Sequence, residues 1–196
     1  MAEDMRYYET FYGIHTDDWM VNFGSFANHH KLLIKEYIND GCYTTANSTA
    51  SSGYKFLYPH HIAKTYFIEG VIEGQVTFGS SEATARICSY KVNVCKVHED
   101  TTETILYSTG WVQVNATLAW DSTYGIGEER VFPFWIDAWN YSELSEKERI
   151  YIQVQSTCTD NDNFVNCSAS SCTNSVLWHS NDATWEDIKI TIPLKM

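Results

Sequence analysis

Basic residues are scarce in this sequence. It contains 13 Lys and Arg against 25 Asp and Glu, which gives a formal net charge of −12, and its basic residues form no run. A surface that binds phosphate groups needs clustered positive charge, and so does a surface that binds an anionic membrane. We therefore predict that neither nucleic acid nor a membrane is a partner.

Long apolar segments are absent as well. No run of about 18 apolar residues occurs, which is the length that a membrane-spanning helix requires. The chain opens with Met-Ala-Glu-Asp-Met-Arg, and no apolar stretch follows a basic start. We therefore predict that it has no conventional signal peptide.

The common catalytic motifs are also missing. The sequence has no Gly-rich phosphate loop, no Gly-x-Ser-x-Gly, no His-Glu-x-x-His and no calcium-loop pattern. Adjacent acidic residues such as Glu128 and Glu129 are more typical of a solvated surface than of an acid/base pair. These absences predict a protein that is not an enzyme, with no catalytic residues and no cofactor.

One group of residues has spacing suited to a metal. A polar stretch over residues 156–182 carries the pattern Cys-x8-Cys-x4-Cys-x6-His, formed by Cys158, Cys167, Cys172 and His179. Three thiolates and an imidazole could hold a structural zinc ion. A disulfide would crosslink the same loop equally well, and the third possibility is that the cysteines are free thiols. Zinc is the least favoured of the three, so we predict no metal.

Aromatic residues are abundant, at 15% of the chain, and many of them lie near the N-terminus. Rings combine large contact area with polar atoms and are enriched at protein interfaces. Residues 1–24 therefore suggest an arm that packs on its own domain or on a neighbour. The predicted interface residues of this arm are Tyr7, Tyr8, Phe11, Tyr12 and Trp19.

Apolar residues after the arm recur with helical spacing. Ser25 is a good N-cap, and the stripe that follows predicts a helix over about residues 25–39. The small polar residues 44–53 then predict a linker. Together these features predict an N-terminal unit over residues 1–60, which consists of arm, helix and linker.

From about residue 62 the apolar period changes to two. Seven or eight short alternating segments, separated by polar turns, predict a mainly β domain over residues 61–196, built as an antiparallel, jelly-roll-like β-sandwich. Pro133 predicts an edge strand or a bulge. Ser145 and Glu148 have the spacing of a capping box, which predicts either one helical turn or a tight corner.

Two segments resemble parts of known virion proteins. Residues 90–107 look like the strand–acidic turn–strand hairpins of jelly-roll domains, and residues 144–154 look like a tight corner that feeds a strand. In this respect the chain resembles jelly-roll structural or decoration proteins of tailed phages and archaeal viruses. The resemblance implies a homo-oligomeric structural protein of a capsid or tail, with other structural subunits as partners, in a virion assembled in the host cytoplasm.

A carbohydrate- or ligand-binding module is the alternative, because such modules stack sugars on exposed rings. Trp178 lies near the end of the polar stretch and Trp185 just after it, and these two residues are the predicted ligand platform. Trp135 and Trp139 are four residues apart, so they share one face of a strand, where they would suit a platform or a core equally well.

Overall fold

A computed structural model describes most of the chain. The described residues are 6–15, 22–23, 25–26, 31–35, 53–80, 86–117, 120–121, 126–127, 130–158, 175–178 and 188–196. Within them the backbone forms strands and turns but no helix, so none of the described residues belongs to a helix that could cross a membrane.

The strands of the described residues are β1 (Arg6–His15), β2 (Lys31–Ile34), β3 (Tyr54–Leu57), β4 (Tyr66–Ser80), β5 (Arg86–Val97), β6 (Glu103–Ser108), β7 (Val112–Thr117), β8 (Trp120–Asp121), β9 (Ile126–Gly127), β10 (Arg130–Leu144), β11 (Arg149–Cys158), β12 (Ser175–Trp178) and β13 (Lys189–Lys195).

Eleven of these strands form one sheet. Its order is β10-β4-β13-β1-β2-β3-β11-β5-β6, with β12 paired to β4 and β7 paired to β5. Each described pairing is antiparallel except that of β2 with β3. The two ends of the sheet approach each other, since the Tyr90 hydroxyl on β5 donates to the Pro133 carbonyl on β10 at 2.8 Å. The Tyr107 hydroxyl on β6 likewise donates to the Ile68 carbonyl on β4, at 3.2 Å.

The sheet is therefore rolled into a nearly closed, barrel-like shape around one main core. Alternate residues of the long strands point inward, as a period of two requires. The mainly β prediction is confirmed, whereas the finer prediction of a two-sheet jelly-roll sandwich is not.

The predicted helix over residues 25–39 is wrong for residues 31–34, which form β2. Leu33 points into the main core, whereas Leu32 and Ile34 pack with Tyr12 on the other side of the sheet. A strand that is buried on both faces reads as a continuous apolar run, and a short run of this kind matches helical spacing as well as strand spacing. Residues 27–30 and 36–39 lie outside the described part of the chain.

The structure places part of the predicted N-terminal arm inside the sheet. β1 pairs with β13 on one side and with β2 on the other. Strands from both sides of residue 60 are thus joined in one sheet, while the proposed domain boundary there stays a prediction. The predicted linker over residues 44–53 lies outside the described residues, apart from Gly53.

Three local predictions are confirmed. β5 and β6 form the expected hairpin, and in its turn Asp100 accepts a hydrogen bond from the Thr102 amide at 3.0 Å. The Ser145 amide donates to the Glu148 carboxylate at 2.8 Å, as in a capping box, and the chain turns there between β10 and β11. Pro133 lies on β10, at one end of the strand order, where its missing amide hydrogen interrupts no ladder.

Candidate functional site

The outward face of β10 is the most exposed aromatic surface among the described residues. Along this strand Phe134, Ile136 and Ala138 are buried, and the residues between them point to solvent. Trp135 is 64% exposed and Trp139 is 56% exposed. Because large apolar side chains are normally buried, two exposed tryptophans on the same face of one strand indicate a contact surface.

A bulge extends this surface past Trp139. The register of β10 against β4 shifts between Ala138 and Ser142, so three residues of β10 stand opposite Glu69 alone. Tyr141 adopts a positive φ of 52° there and is 48% exposed. Bulges commonly redirect side chains, and this one brings the Tyr141 ring to 5.1 Å from the Phe67 ring.

β1 contributes a further ring to the same side of the sheet. Phe11 points into the core, so by alternation Tyr8 points outward, and its side chain is 66% exposed. Arg6, on the same face of β1, lies over the Trp139 ring with its Cζ 5.9 Å from the ring centroid. We refer to Tyr8, Trp135, Trp139 and Tyr141 as the aromatic face.

Charged residues hold one end of the aromatic face in place. The Glu69 carboxylate on β4 forms ion pairs with Arg6 at 3.6 Å and with Lys195 at 3.0 Å. The Lys195 ammonium in turn lies 5.5 Å from the Tyr141 ring centroid. Since a cation over a ring is attracted to its π-electrons, these contacts favour the observed orientations of Trp139 and Tyr141.

Hydrogen-bonding groups stand among the rings. Asp137 lies between the two tryptophans on β10 and is exposed, and exposed Glu73 lies opposite Trp135 on β4. Further across the sheet, the hydroxyls of Thr191 and Thr10 are 3.0 Å apart. The aromatic face can therefore combine ring stacking with hydrogen bonds to carboxylates and hydroxyls.

A second cluster of side chains lies on β3, β5, β6 and β11, and it contacts the short segment formed by residues 25 and 26. Glu103 accepts hydrogen bonds from Ser25, from Lys55 and, at 2.6 Å, from the Tyr151 hydroxyl. The buried Phe26 ring meets the Tyr151 ring edge-on, with centroids 5.4 Å apart. The cluster thus ties residues 25 and 26 to the sheet.

The protonation states of this second cluster follow from its contacts. Burial opposes ionisation of Glu103, but the hydrogen bonds from Lys55, Ser25 and Tyr151 outweigh it and hold the pKa of the carboxyl below its ordinary value. Burial raises the pKa of the Cys95 thiol to about 12. Cys95 therefore stays protonated at neutral pH and is not a nucleophile, so the role of this cluster is to stabilise the fold.

The predicted interface residues are distributed over different environments. Tyr7 and Tyr8 are exposed, Phe11 is buried in the main core, and Tyr12 is partly buried against β2. Trp19 lies outside the described residues. Of this set, Tyr8 alone joins the aromatic face.

The other predicted site residues are largely outside the described part of the chain. Of the group Cys158, Cys167, Cys172 and His179, the backbone of Cys158 alone is described, at the end of β11. Trp178 is placed by its backbone in β12, and Trp185 is not described. Within the residues that are described, no three or more His, Cys, Asp or Glu could hold a metal ion.

No protein family model and no curated protein matches the chain. Its fold is similar to that of a CocE/NonD family hydrolase from Staphylococcus aureus in two crystal structures, with TM-scores of 0.54 and 0.56 and 10% sequence identity. These similarities cover 96% and 99% of this chain and 37% of the hydrolase chain, so the chain spans well under half of the protein that it matches.

Two further similarities are weaker. An aminopeptidase from a marine sediment archaeon, Thaumarchaeota archaeon, has a TM-score of 0.46 at 13% identity, over 72% of this chain and 25% of its own. The T13 IBDV viral particle has a TM-score of 0.31 at 13% identity, over 76% of this chain and 30% of its own. At TM-scores below 0.5 neither structure supports a conclusion about this chain. The viral particle therefore adds no support to the resemblance to virion proteins.

The prediction that the chain is not an enzyme is corrected by these findings. Two structures that it resembles at TM-scores above 0.5 are of a hydrolase, so the absence of short catalytic motifs was a wrong basis for excluding an enzyme. At 10% identity the similarity shows a shared fold and assigns no activity. The fold of this chain is thus one that occurs as part of a hydrolase.

Proposed function

We propose that this protein binds carbohydrate chains on its aromatic face and acts as the binding module of a hydrolytic system. The observation that carries the proposal is the exposure of Trp135 and Trp139 on one side of β10. The two positions are four residues apart on a strand, which corresponds to roughly 13 Å. An extended glycan of a few sugar units could contact both rings.

The chemistry of the aromatic face suits sugars. A pyranose ring presents C–H groups on its faces and hydroxyls around its edge, so it needs a flat apolar partner and nearby hydrogen-bonding groups. Trp135 and Trp139 supply the flat partners. Asp137 and Glu73 supply acceptors for hydroxyl hydrogens beside them.

The fixed geometry of the face favours binding. Arg6 and Lys195 hold Trp139 and Tyr141 through the shared partner Glu69. Side chains that are already ordered lose little conformational freedom when a ligand arrives, and this reduces the entropic cost of association. Because the fold is similar to part of a hydrolase, we propose that the face delivers polysaccharide to a hydrolytic activity in the same protein or in a partner.

Replacing either tryptophan by alanine should weaken glycan binding about tenfold, and replacing both should abolish it, since a tenfold change corresponds to about 1.4 kcal/mol. Binding would be measured by intrinsic Trp fluorescence and calorimetry against a panel of soluble oligosaccharides, chosen after glycan screening of the wild type.

Trp111→Ala is the matched control. Trp111 is also an exposed tryptophan beside a cation, Lys91 at 6.0 Å, but it precedes β7 and is not part of the aromatic face. Its loss should leave glycan binding unchanged. If no glycan binds and the chain instead forms an oligomer that Trp135→Ala and Trp139→Ala disrupt, the face contacts other subunits, as in a virion structural protein, and the carbohydrate proposal fails.

A further inference from the structure

A histidine at the end of the β5–β6 hairpin links a buried carboxylate to an exposed hydroxyl. His98 Nδ1 lies 2.7 Å from Glu148 Oε1, and His98 Nε2 lies 2.9 Å from Thr104 Oγ1. Glu148 is 7% exposed, whereas Thr104 is exposed to solvent. This linear order of acid, imidazole and hydroxyl is the arrangement by which hydrolases activate a hydroxyl.

The corner between β10 and β11 fixes the carboxylate. Glu148 Oε2 accepts the Ser145 amide at 2.8 Å and the Lys96 ammonium at 3.0 Å, and Lys96 also contacts Oε1 at 2.9 Å. A buried carboxylate needs such partners, since an unpaired one would carry a large desolvation cost. These contacts therefore fix the position from which the Glu148 carboxylate accepts its hydrogen bond from His98.

The tautomer of the imidazole follows from these partners. An ionised carboxylate only accepts hydrogen bonds, so the Nδ1 of His98 carries the hydrogen that it donates to Glu148. In the neutral ring Nε2 then has a free lone pair, and it accepts the hydroxyl hydrogen of Thr104. The hydroxyl is therefore hydrogen-bonded to a base.

We propose that Thr104 is a nucleophilic hydroxyl that accepts acyl groups from small carboxylic esters, with His98 as general base and Glu148 as the residue that positions it. Thr104 Oγ1 bonds to the carbonyl carbon while its proton passes to His98 Nε2. The bond from that carbon to the leaving oxygen then breaks, and the alcohol leaves with the proton from His98. Water repeats the sequence on the acyl-threonine, which releases the acid and restores the Thr104 hydroxyl.

A fluorophosphonate probe tests the first step on the full chain. Thr104 Oγ1 would form a P–O bond, the P–F bond would break, and fluoride would leave as His98 takes the proton. Peptide mass spectrometry should find the adduct on Thr104. Thr104→Val should abolish it, Thr104→Ser should retain it, and His98→Gln should slow labelling at least tenfold.

The positioning role of Glu148 has its own readout. Glu148→Gln should lower the melting temperature, because it leaves the Lys96 ammonium without its ion-pair partner Glu148. Labelling is therefore compared well below that temperature, where Glu148→Gln should still slow it about tenfold. Glu148→Asp should restore part of the rate, which a purely structural loss would not do. Thr102 is the control hydroxyl, since it lies in the same hairpin but donates to Asp100 at 2.7 Å; it should stay unlabelled. Absence of an adduct on Thr104 in the folded wild type, or equal labelling in His98→Gln, would overturn the proposal.

Discussion

Replacing Gly74 with alanine is expected to lower the free energy of unfolding by about 3 kcal/mol, at the upper end of what overpacking costs. A Cβ at this position of β4 would lie 2.4 Å from the Lys189 carbonyl oxygen and 2.6 Å from Cζ of Phe134. The first of these atoms belongs to the backbone of β13, so it cannot move without a shift of the paired strand. Urea denaturation should show a lower midpoint with an unchanged slope.

The position of Gly74 explains the size of this effect. It pairs with Phe134 on β10 and with Ile190 on β13, so its strand is hydrogen-bonded on both sides. On the inward face of β4 it stands between the buried residues Ile72 and Val76. The missing side chain leaves the space that the Phe134 ring occupies, which is how a glycine in a central strand is tolerated.

Gly110→Ala is the control for the Gly74 experiment. Gly110 has a positive φ of 65°, but a Cβ there would have no neighbour within 4 Å. Its replacement should therefore cost only the conformational penalty of about 1 kcal/mol. Equal losses in the two variants would contradict the close approach of β13 to Gly74.

Alternation in the sequence was sufficient to locate most long strands. The segments that became β5, β11 and β13 carry core residues at every second position, so a period of two is visible in them, although residues on both faces of β5 and β11 are buried. Their partners were not visible, because strand order depends on contacts between distant segments. The pairing of β13 with β1 joins residues 189–195 to residues 6–12, and no local pattern encodes that contact.

The aromatic face was predictable in part. The even spacing of Trp135 and Trp139 placed them on one side of a strand, but which side faces solvent depends on the sheet that forms around β10. Tyr141 joined the face only through the bulge, and a bulge adds residues that a strict period of two does not anticipate. The same limit applies to Phe26, whose helical spacing gave no sign that it packs on Tyr151.

Replacing Glu103 with glutamine is expected to lower the free energy of unfolding by about 2 kcal/mol at pH 7, because a hydrogen bond to a charged group contributes about that much. The carboxylate accepts hydrogen bonds from Ser25, Lys55 and Tyr151. Glutamine has a single acceptor oxygen and no charge. It would leave the partly buried Lys55 ammonium without its ion-pair partner Glu103.

The pH dependence separates this charge effect from a packing effect. The folded pKa of Glu103 is held below the unfolded value of about 4.3, so its ionised form stabilises the fold above that value. The stabilisation is lost as the pH falls through the folded pKa. The difference in the free energy of unfolding between wild type and Glu103→Gln should thus be constant near neutrality and shrink in acid.

Glu99→Gln is the control. Glu99 pairs with Lys147 at 3.5 Å in solvent, so the loss of its charge should change the free energy of unfolding by less than about 0.5 kcal/mol. A gap between wild type and Glu103→Gln that stays the same from pH 7 to pH 3 would mean that the shape of the side chain, and not its charge, stabilises this cluster.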